Sequence, residues 1–301
     1  MPELNLATRP SKLARWQTNH VVESLKEYWP NLASKEKVIV TKGDRILDKP
    51  LPEIGGKGLF TQELEHALLI NEIDAAVHSL KDLPTEDAPG LMLGAILERG
   101  PAHDVLISLE NYTLDSLPQG AVIGTSSLRR QAQILAYRPD LSIMPLRGNI
   151  DTRVRKVQEG QYDAIVLAAA GVTRLELDKH ISQHLPIKIM LPAPGQGALA
   201  VQCREDDYET LEYLSPLDHH ATRLAVLAER QLLANLEGGC SLPVGAYATV
   251  ERNIIKLQAI VLDASGQQII RVEGQGKDGI SLGKRLAQDA FAQGAAEVLH
   301  A

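Results

Sequence analysis

Cysteine is scarce in this chain, with only Cys203 and Cys240 among 301 residues. Two thiols so far apart exclude a disulfide framework and suit a reducing compartment. No stretch approaches the roughly 20 continuous apolar residues that a membrane-spanning helix needs. The opening Met1-Pro2-Glu3-Leu4-Asn5 has neither the basic flank nor the apolar core of a signal peptide, so a cytoplasmic protein is expected. Positive charge is not in excess either. The formal net charge is -7, and bulk attraction to nucleic acid is not expected. Neither cysteine stands at metal-ligand spacing from a histidine, and the adjacent pair His219-His220 lacks that geometry, so no metal is expected. What is present is 44% apolar and 23% charged, an ordinary globular composition. The length suits two or three domains.

Strand and helix patterns alternate along the first two thirds. Residues 5–8 read as a strand, Ser11 opens a helical pattern to about residue 25, and residues 38–40 read as a second short strand. Residues 41–60 form a long connection rich in Gly43, Pro50, Pro52, Gly55, Gly56 and Gly58, and a connection of that length reads as disordered or as a functional lid. A helix is expected over 62–71, then a buried strand at 75–77 that runs into His78-Ser79-Leu80-Lys81-Asp82. Further strands are expected at 105–107, 121–123, 141–146 and 164–167. A helix over 127–137 stops before Pro139, and Asp151 is expected to cap a helix to about 159. This alternation implies a mostly parallel sheet with helices on both faces. Ligands of such sheets bind beyond the carboxyl ends of strands. That rule singles out Ser79-Lys81-Asp82, Thr125-Ser126-Ser127 and Arg147-Gly148-Asn149. After residue 217 the pattern changes to a helix over 220–233, three strands between 244 and 273, and a closing helix, an α+β layer. No internal repeat is visible.

Three features carry chemistry. Cys240 follows Glu237-Gly238-Gly239 in an open loop, where a thiol suits covalent attachment, although a small buried filler is the commoner use of a cysteine. Asp82 ends a strand between Lys81 and Leu83-Pro84, placed to stabilise a cation, although a turn aspartate bonding its own backbone is the plainer reading. Arg129 and Arg130 fall in the first turn of a helix, where cations oppose the dipole, and an anion bound there would offset the cost. Arg147 and Arg153 add forks that match carboxylates in a bidentate way. Concentrated arginine in an acidic protein points to a small polyanion, with a solvated basic helix face as the alternative.

Taken together, the chain resembles the hydroxymethylbilane synthase (porphobilinogen deaminase) family nearly end to end. The resemblance rests on Ala7-Thr8-Arg9 with Ser11, Thr41-Lys42-Gly43-Asp44, Gly55-Gly56-Lys57-Gly58-Leu59-Phe60, and Ala76-Val77-His78-Ser79-Leu80-Lys81-Asp82. Gly124-Thr125-Ser126-Ser127-Leu128-Arg129-Arg130, Leu146-Arg147-Gly148-Asn149, Pro194-Gly195-Gln196-Gly197 and Leu236-Glu237-Gly238-Gly239-Cys240 follow in the family's order. It implies two α/β lobes like those of periplasmic binding proteins, the first from 1–98 with 195–216 and the second from 99–194. A small α+β domain over 217–301 would carry the cysteine. It further implies a transferase that adds four porphobilinogens head to tail onto a dipyrromethane held by a thioether to Cys240. Each addition loses ammonia, and hydrolysis then releases the linear tetrapyrrole.

By the same resemblance Asp82 is the catalytic carboxylate. Arg9, Arg129, Arg130, Arg147, Arg153 and Arg174 bind acetate and propionate groups. Ser11, Lys57, Ser79, Lys81, Thr125, Ser127, Gly148 and Gln196 complete the contacts, and Phe60 belongs to a mobile loop. Glu53 departs from the family, standing where some members carry lysine, and is left out of the site. A monomer is expected, with porphobilinogen as its partner and no nucleic acid, membrane or metal. The rival reading is a solute-binding or regulatory module on the same lobes, because fold does not fix function. Such a module has no use for the cysteine loop.

Overall fold

The computed structural model describes residues 3–45, 58–236 and 242–300. The described residues build two five-stranded sheets and one of three strands. β1 (Glu3–Thr8) leads into α1 (Lys12–Tyr28), whose N-cap Ser11 accepts a hydrogen bond from the Ala14 amide. That bond satisfies one of the donors that every helix start leaves free. β2 (Ala33–Val38), the short helix α2 (Lys42–Arg45), α3 (Gln62–Leu69), β3 (Ala75–Ser79) and β4 (Leu91–Ile96) follow. The strand expected at 38–40 lies earlier. β2 is an edge strand with mostly polar residues, half-buried or exposed, so its own pattern is faint beside the apolar triplet that follows it.

The chain then crosses to a second sheet. This comprises β5 (Asp104–Ser108), β6 (Val122–Gly124), β7 (Ser142–Met144), β8 (Ala164–Ala168) and β9 (Gln183–His184). Its helices are α4 (Leu128–Tyr137), α5 (Ile150–Gln158) and α6 (Ala169–Arg174). α5 begins one residue before Asp151, so Asp151 sits in its first turn rather than capping it, and Asn149 stands at the cap. The chain returns through β10 (Leu199–Arg204) and α7 (Tyr208–Leu214) to the first sheet.

Neither sheet is wholly parallel. The first runs β2-β1-β3-β10-β4, with β10 antiparallel to both neighbours. The second runs β7-β6-β8-β5-β9, with β5 antiparallel to both neighbours. Both sheets place one antiparallel strand fourth in the order, and in both that strand is the one by which the chain arrives from the other sheet. The two sheets therefore share a topology that the sequence does not show as a repeat.

Apolar side chains cover both faces of each sheet, which is why β8 and the first three residues of β3 are continuous apolar runs. Leu6, Val77 and Val201 pack against Val21 and Leu25 of α1, while Ala7 and Ala76 meet Leu64 and Leu68 of α3. In the second sheet Leu106 and Ile123 face Ile134 of α4, and Val105 and Ile165 face Val154 of α5. α8 (His220–Asn235), β11 (Val244–Glu251), β12 (Ile254–Leu262), β13 (Ile269–Gly276), α9 (Gly279–Ala292) and α10 (Ala295–His300) complete the described chain. Here Ala228 and Leu232 of α8 and Leu286 of α9 bury against Ala246, Leu257 and Val272. Among the described residues no helix is long and apolar enough to cross a membrane.

Candidate active site

The carboxyl ends of β1, β3, β6, β7 and β8 converge on one cavity of about 430 Å³ between the two sheets. Its described lining carries seven cations, Arg9, Lys12, Lys81, Arg130, Arg147, Arg153 and Arg174, against the three carboxylates Asp44, Asp82 and Asp151. Seven against three leaves an excess of four positive charges, in a chain whose net charge is -7.

The cations differ in how they are held. Arg9 follows β1 and gives its Nε and Nη2 to Asp44 at 3.2 and 2.5 Å. Its guanidinium lies 4.2 Å from the centre of the Phe60 ring. A Cβ at Gly43 would come within 2.1 Å of that ring, so glycine is required for this approach. Arg153 donates its Nε to the Gly148 carbonyl at 2.7 Å, and Gly148 has φ +113°, where a side chain is strained. Arg174 donates to the Gly197 carbonyl at 2.8 Å and stands over Trp16. Arg147 has a buried Nη1 with no hydrogen-bond partner among the described residues.

Burial and the charges of Arg130 and Arg147 bring Arg153 down to about 10, and burial alone brings Arg174 to about 10. Lys81 falls to about 8 because it is buried and Arg130 and Arg129 stand nearby, against the pull of Asp82. Burial is the first cause of each shift, and for Lys81 and Arg153 neighbouring cations add to it, both effects disfavouring the charged form.

The structure brings most of the expected residues to this cavity. Arg9, Ser11, Ser79, Lys81, Asp82, Arg130, Arg147, Gly148, Arg153, Arg174 and Phe60 line it. Ser79 accepts a hydrogen bond from Gln17 of α1 at 2.8 Å. Asp82 ends a short 3-10 turn after β3 and is exposed into the cavity, its carboxylate accepting no hydrogen bond from the described residues.

Four residues lie behind the lining. Thr125 is buried and its hydroxyl accepts from the Ser127 amide, while Ser127 caps α4. Their neighbour Ser126 lines the cavity instead, its hydroxyl tied to the Leu146 backbone. Gln196 is fully buried and donates to the Ala102 carbonyl and to Asp104.

Arg129 departs furthest from expectation. The anion offsetting Arg129 and Arg130 at the start of α4 is supplied by the protein, as Asp104 of β5. Arg129 Nη1 donates to Asp104 at 2.8 Å and to the Leu191 carbonyl, and Arg130 Nε and Nη2 grip the other carboxylate oxygen at 3.2 and 2.7 Å. Asp104 has no exposed surface, and the two guanidiniums hold its carboxyl well below the usual range despite its burial. Arg129 thus braces the cavity from behind, while Arg130 reaches both Asp104 and the lining.

Lys57 and Cys240 fall outside the described residues, as do Glu53 and most of the expected lid. Cys203 is buried in the first sheet's core, and burial pushes its thiol up to about 11. Sequence reasoning missed Gln17 and Asp44 as cavity residues, whereas Ser126, singled out by its place after a strand, was absent only from the site that the resemblance implies. Gln17 alone left a signal, as a polar residue on the buried side of an amphipathic helix.

Fold and cavity together define a two-lobed α/β protein whose cleft is lined by an excess of cations. Comparison with known proteins makes the class particular. The model for the porphobilinogen deaminase dipyromethane cofactor binding domain matches residues 4–212, and that for the porphobilinogen deaminase C-terminal domain matches residues 223–292. A porphobilinogen deaminase of Brevibacillus brevis is 54% identical, covering 99% of this chain and 97% of the relative. Those of Pelotomaculum thermopropionicum and Geobacillus kaustophilus are 51% and 49% identical, over 99% and 98% of this chain and 96% of each relative. The chain belongs to the porphobilinogen deaminase family.

Proposed function

We infer that this protein is a transferase that condenses four porphobilinogen molecules head to tail, each losing ammonia, and releases hydroxymethylbilane by hydrolysis. The observation that carries this reading is the excess of four cations in a cleft where Arg147, Arg153 and Arg174 have no carboxylate partner among the described residues. Porphobilinogen brings two carboxylates per ring, so a growing oligomer is a polyanion, and forks fixed on strand ends match its carboxylates without reorganising. The same feature fits a dipyrromethane, because Arg147 Nη1, without a partner among the described residues, and the shifted Arg153 both favour an anion. Lys81, Arg130, Arg147 and Arg153 would hold its carboxylates, and Cys240 would hold it covalently. When bound, that group supplies a tethered primer, which removes the entropy of rebinding a short oligomer at each addition.

The chain's own residues do the rest. Asp82, free to accept, is placed to hydrogen-bond pyrrole N–H groups, offset the cation left as ammonia departs and help move the ring proton. Arg9 and Arg174 orient incoming carboxylates at the cleft mouth. Residues 1–98 with 195–216, 99–194 and 217–301 form the three domains, and the enzyme acts as a cytoplasmic monomer. Intact mass tests the anchor. Denatured wild-type protein is expected to exceed its sequence mass by two pyrrole units, and Cys240→Ser to lack the adduct and turn over no porphobilinogen. An unmodified, fully active chain refutes the assignment.

A further inference from the structure

Arg9 does not reach the cleft as a free side chain. Asp44 takes the Nε and Nη2 hydrogens that share one edge of its planar guanidinium. Phe60 covers one face, with Gly43 behind the ring. Asp44 is itself held, accepting from the Thr41 amide at 3.1 Å and the Thr41 hydroxyl at 2.8 Å, on a turn that opens α2. Gly43 and Leu59 join by a backbone hydrogen bond of 3.0 Å, so the segments carrying Asp44 and Phe60 brace each other. A guanidinium has five N–H donors in a fixed fork. With one edge and one face engaged, the hydrogens of Nη1 and the outer hydrogen of Nη2 remain, along the edge that pairs with a carboxylate in a bidentate way. The side chain is 23% exposed and Asp44 only 12%, both residues line the cavity, and no described residue accepts a hydrogen bond from the terminal edge.

We propose that Asp44 is a positioning residue for ligand recognition: with Phe60 it clamps Arg9 so that the terminal guanidinium edge stands ready for a pyrrole carboxylate. This rests on the reading that Arg9 binds ligand carboxylates. The competing arrangement makes Asp44 a stand-in that the ligand must displace, and it requires the same edge to be blocked. The geometry engages the other edge. The two arrangements predict opposite signs, because removing a competitor tightens binding and removing a clamp loosens it.

The test uses cofactor-loaded protein, with loading checked by intact mass and folding by melting temperature. Asp44→Asn keeps an acceptor for the Thr41 amide and hence the turn, but loses the charge-assisted bidentate grip. KM for porphobilinogen is expected to rise about tenfold with kcat within about twofold, since a charge-assisted contact is weakened rather than removed. Asp44→Glu should recover part of the loss. In an Arg9→Leu background Asp44→Asn should add little, because the clamp then has nothing to hold. A readout independent of turnover is the Arg9 Nε–H resonance, assigned by its loss in Arg9→Lys. It should be protected in the wild type and exchange-broadened in Asp44→Asn. A fall in KM, or an equal effect with and without Arg9, overturns the proposal. If Arg9→Leu itself leaves KM unchanged, the ligand-binding reading of Arg9 fails instead.

Discussion

The structure predicts a large effect of Asp104→Asn on stability. The wild-type carboxylate accepts from Arg129, from two donors of Arg130 and from Gln196 at 3.0 Å, all buried. Two guanidiniums share this single anion, so the cluster is already one positive charge in excess. The amide has nearly the same shape but turns an acceptor into a donor facing donors and leaves two buried cations uncompensated. Breaking a buried pair by removing one partner costs about 3–5 kcal/mol. The Leu191 and Val166 carbonyls also accept from these arginines, which puts the expected loss near the lower end.

Urea unfolding followed by far-UV circular dichroism measures this, with melting temperature as a second reading. The pH dependence adds a signature. Two guanidiniums depress the Asp104 carboxyl, so its contribution is complete above the ordinary aspartate value of about 4 and is lost only as pH falls below it. The gap between wild type and Asp104→Asn should therefore be flat from pH 5 to 8 (roughly) and close only in stronger acid. A loss under about 1 kcal/mol, as for an exposed pair, refutes the bracing role.

Other expectations are simpler. Arg147→Leu should leave melting unchanged but raise KM for porphobilinogen about tenfold to a hundredfold, the equivalent of a lost charge-assisted contact; an unchanged KM contradicts the cation-cleft reading. Arg129→Leu should lower the melting temperature, yet by less than Asp104→Asn, because Arg130 and Asp104 still balance one to one. Lys81 loses its charge as pH rises through about 8 in the free cleft, so KM should climb above that pH in the wild type and stay flat in Lys81→Arg. Asp82→Asn, with cofactor loading confirmed by mass, should fold normally and turn over at least ~10²-fold more slowly; near-normal kcat places the catalytic carboxylate elsewhere.

Much of the cleft was legible because strand ends leave a mark. Ala75-Ala76-Val77 must be a buried strand, and Lys81 and Asp82 follow it, so their place at a carboxyl edge needs no coordinates. β6 and β7 position Ser126 and Arg147 by the same logic. Strand direction carries no such mark. Val105 and Val201 look like any buried strand residue, yet β5 and β10 run against their neighbours because they carry the chain between sheets. Long-range charge pairing is equally silent. Asp104 lies 25 residues from Arg129 in the chain, so the arginines read as waiting for a ligand when a protein carboxylate already held them both. Asp44 was hidden for a related reason. Aspartate after glycine reads as a turn, which it makes with Thr41, and nothing local reveals that its other partner is Arg9.

The distribution of ionic contacts sets where the cleft can yield. On the crossover side, Glu229 of α8 has no exposed surface and accepts from Arg99 Nη1 at 2.6 Å, the Gly195 amide at 2.7 Å and the Ala248 amide at 2.7 Å. Arg99 also donates to the Gln196 carbonyl at 2.9 Å. One carboxylate thus ties both chain crossings to α8 and β11, and removing it strands a largely buried guanidinium at about 3–5 kcal/mol. At the mouth, α1 meets the second lobe through Lys12 and Asp151, an exposed pair at 3.3 Å, through Leu13 beside Gly171, and through Trp16 beneath Arg174. An exposed pair contributes about 0–1 kcal/mol, and an exposed cation–π contact about 0.5–1 kcal/mol. The contacts between the lobes are therefore weakest at the mouth, while the buried carboxylates Glu229 and Asp104 keep the crossings and the arginine framework in register.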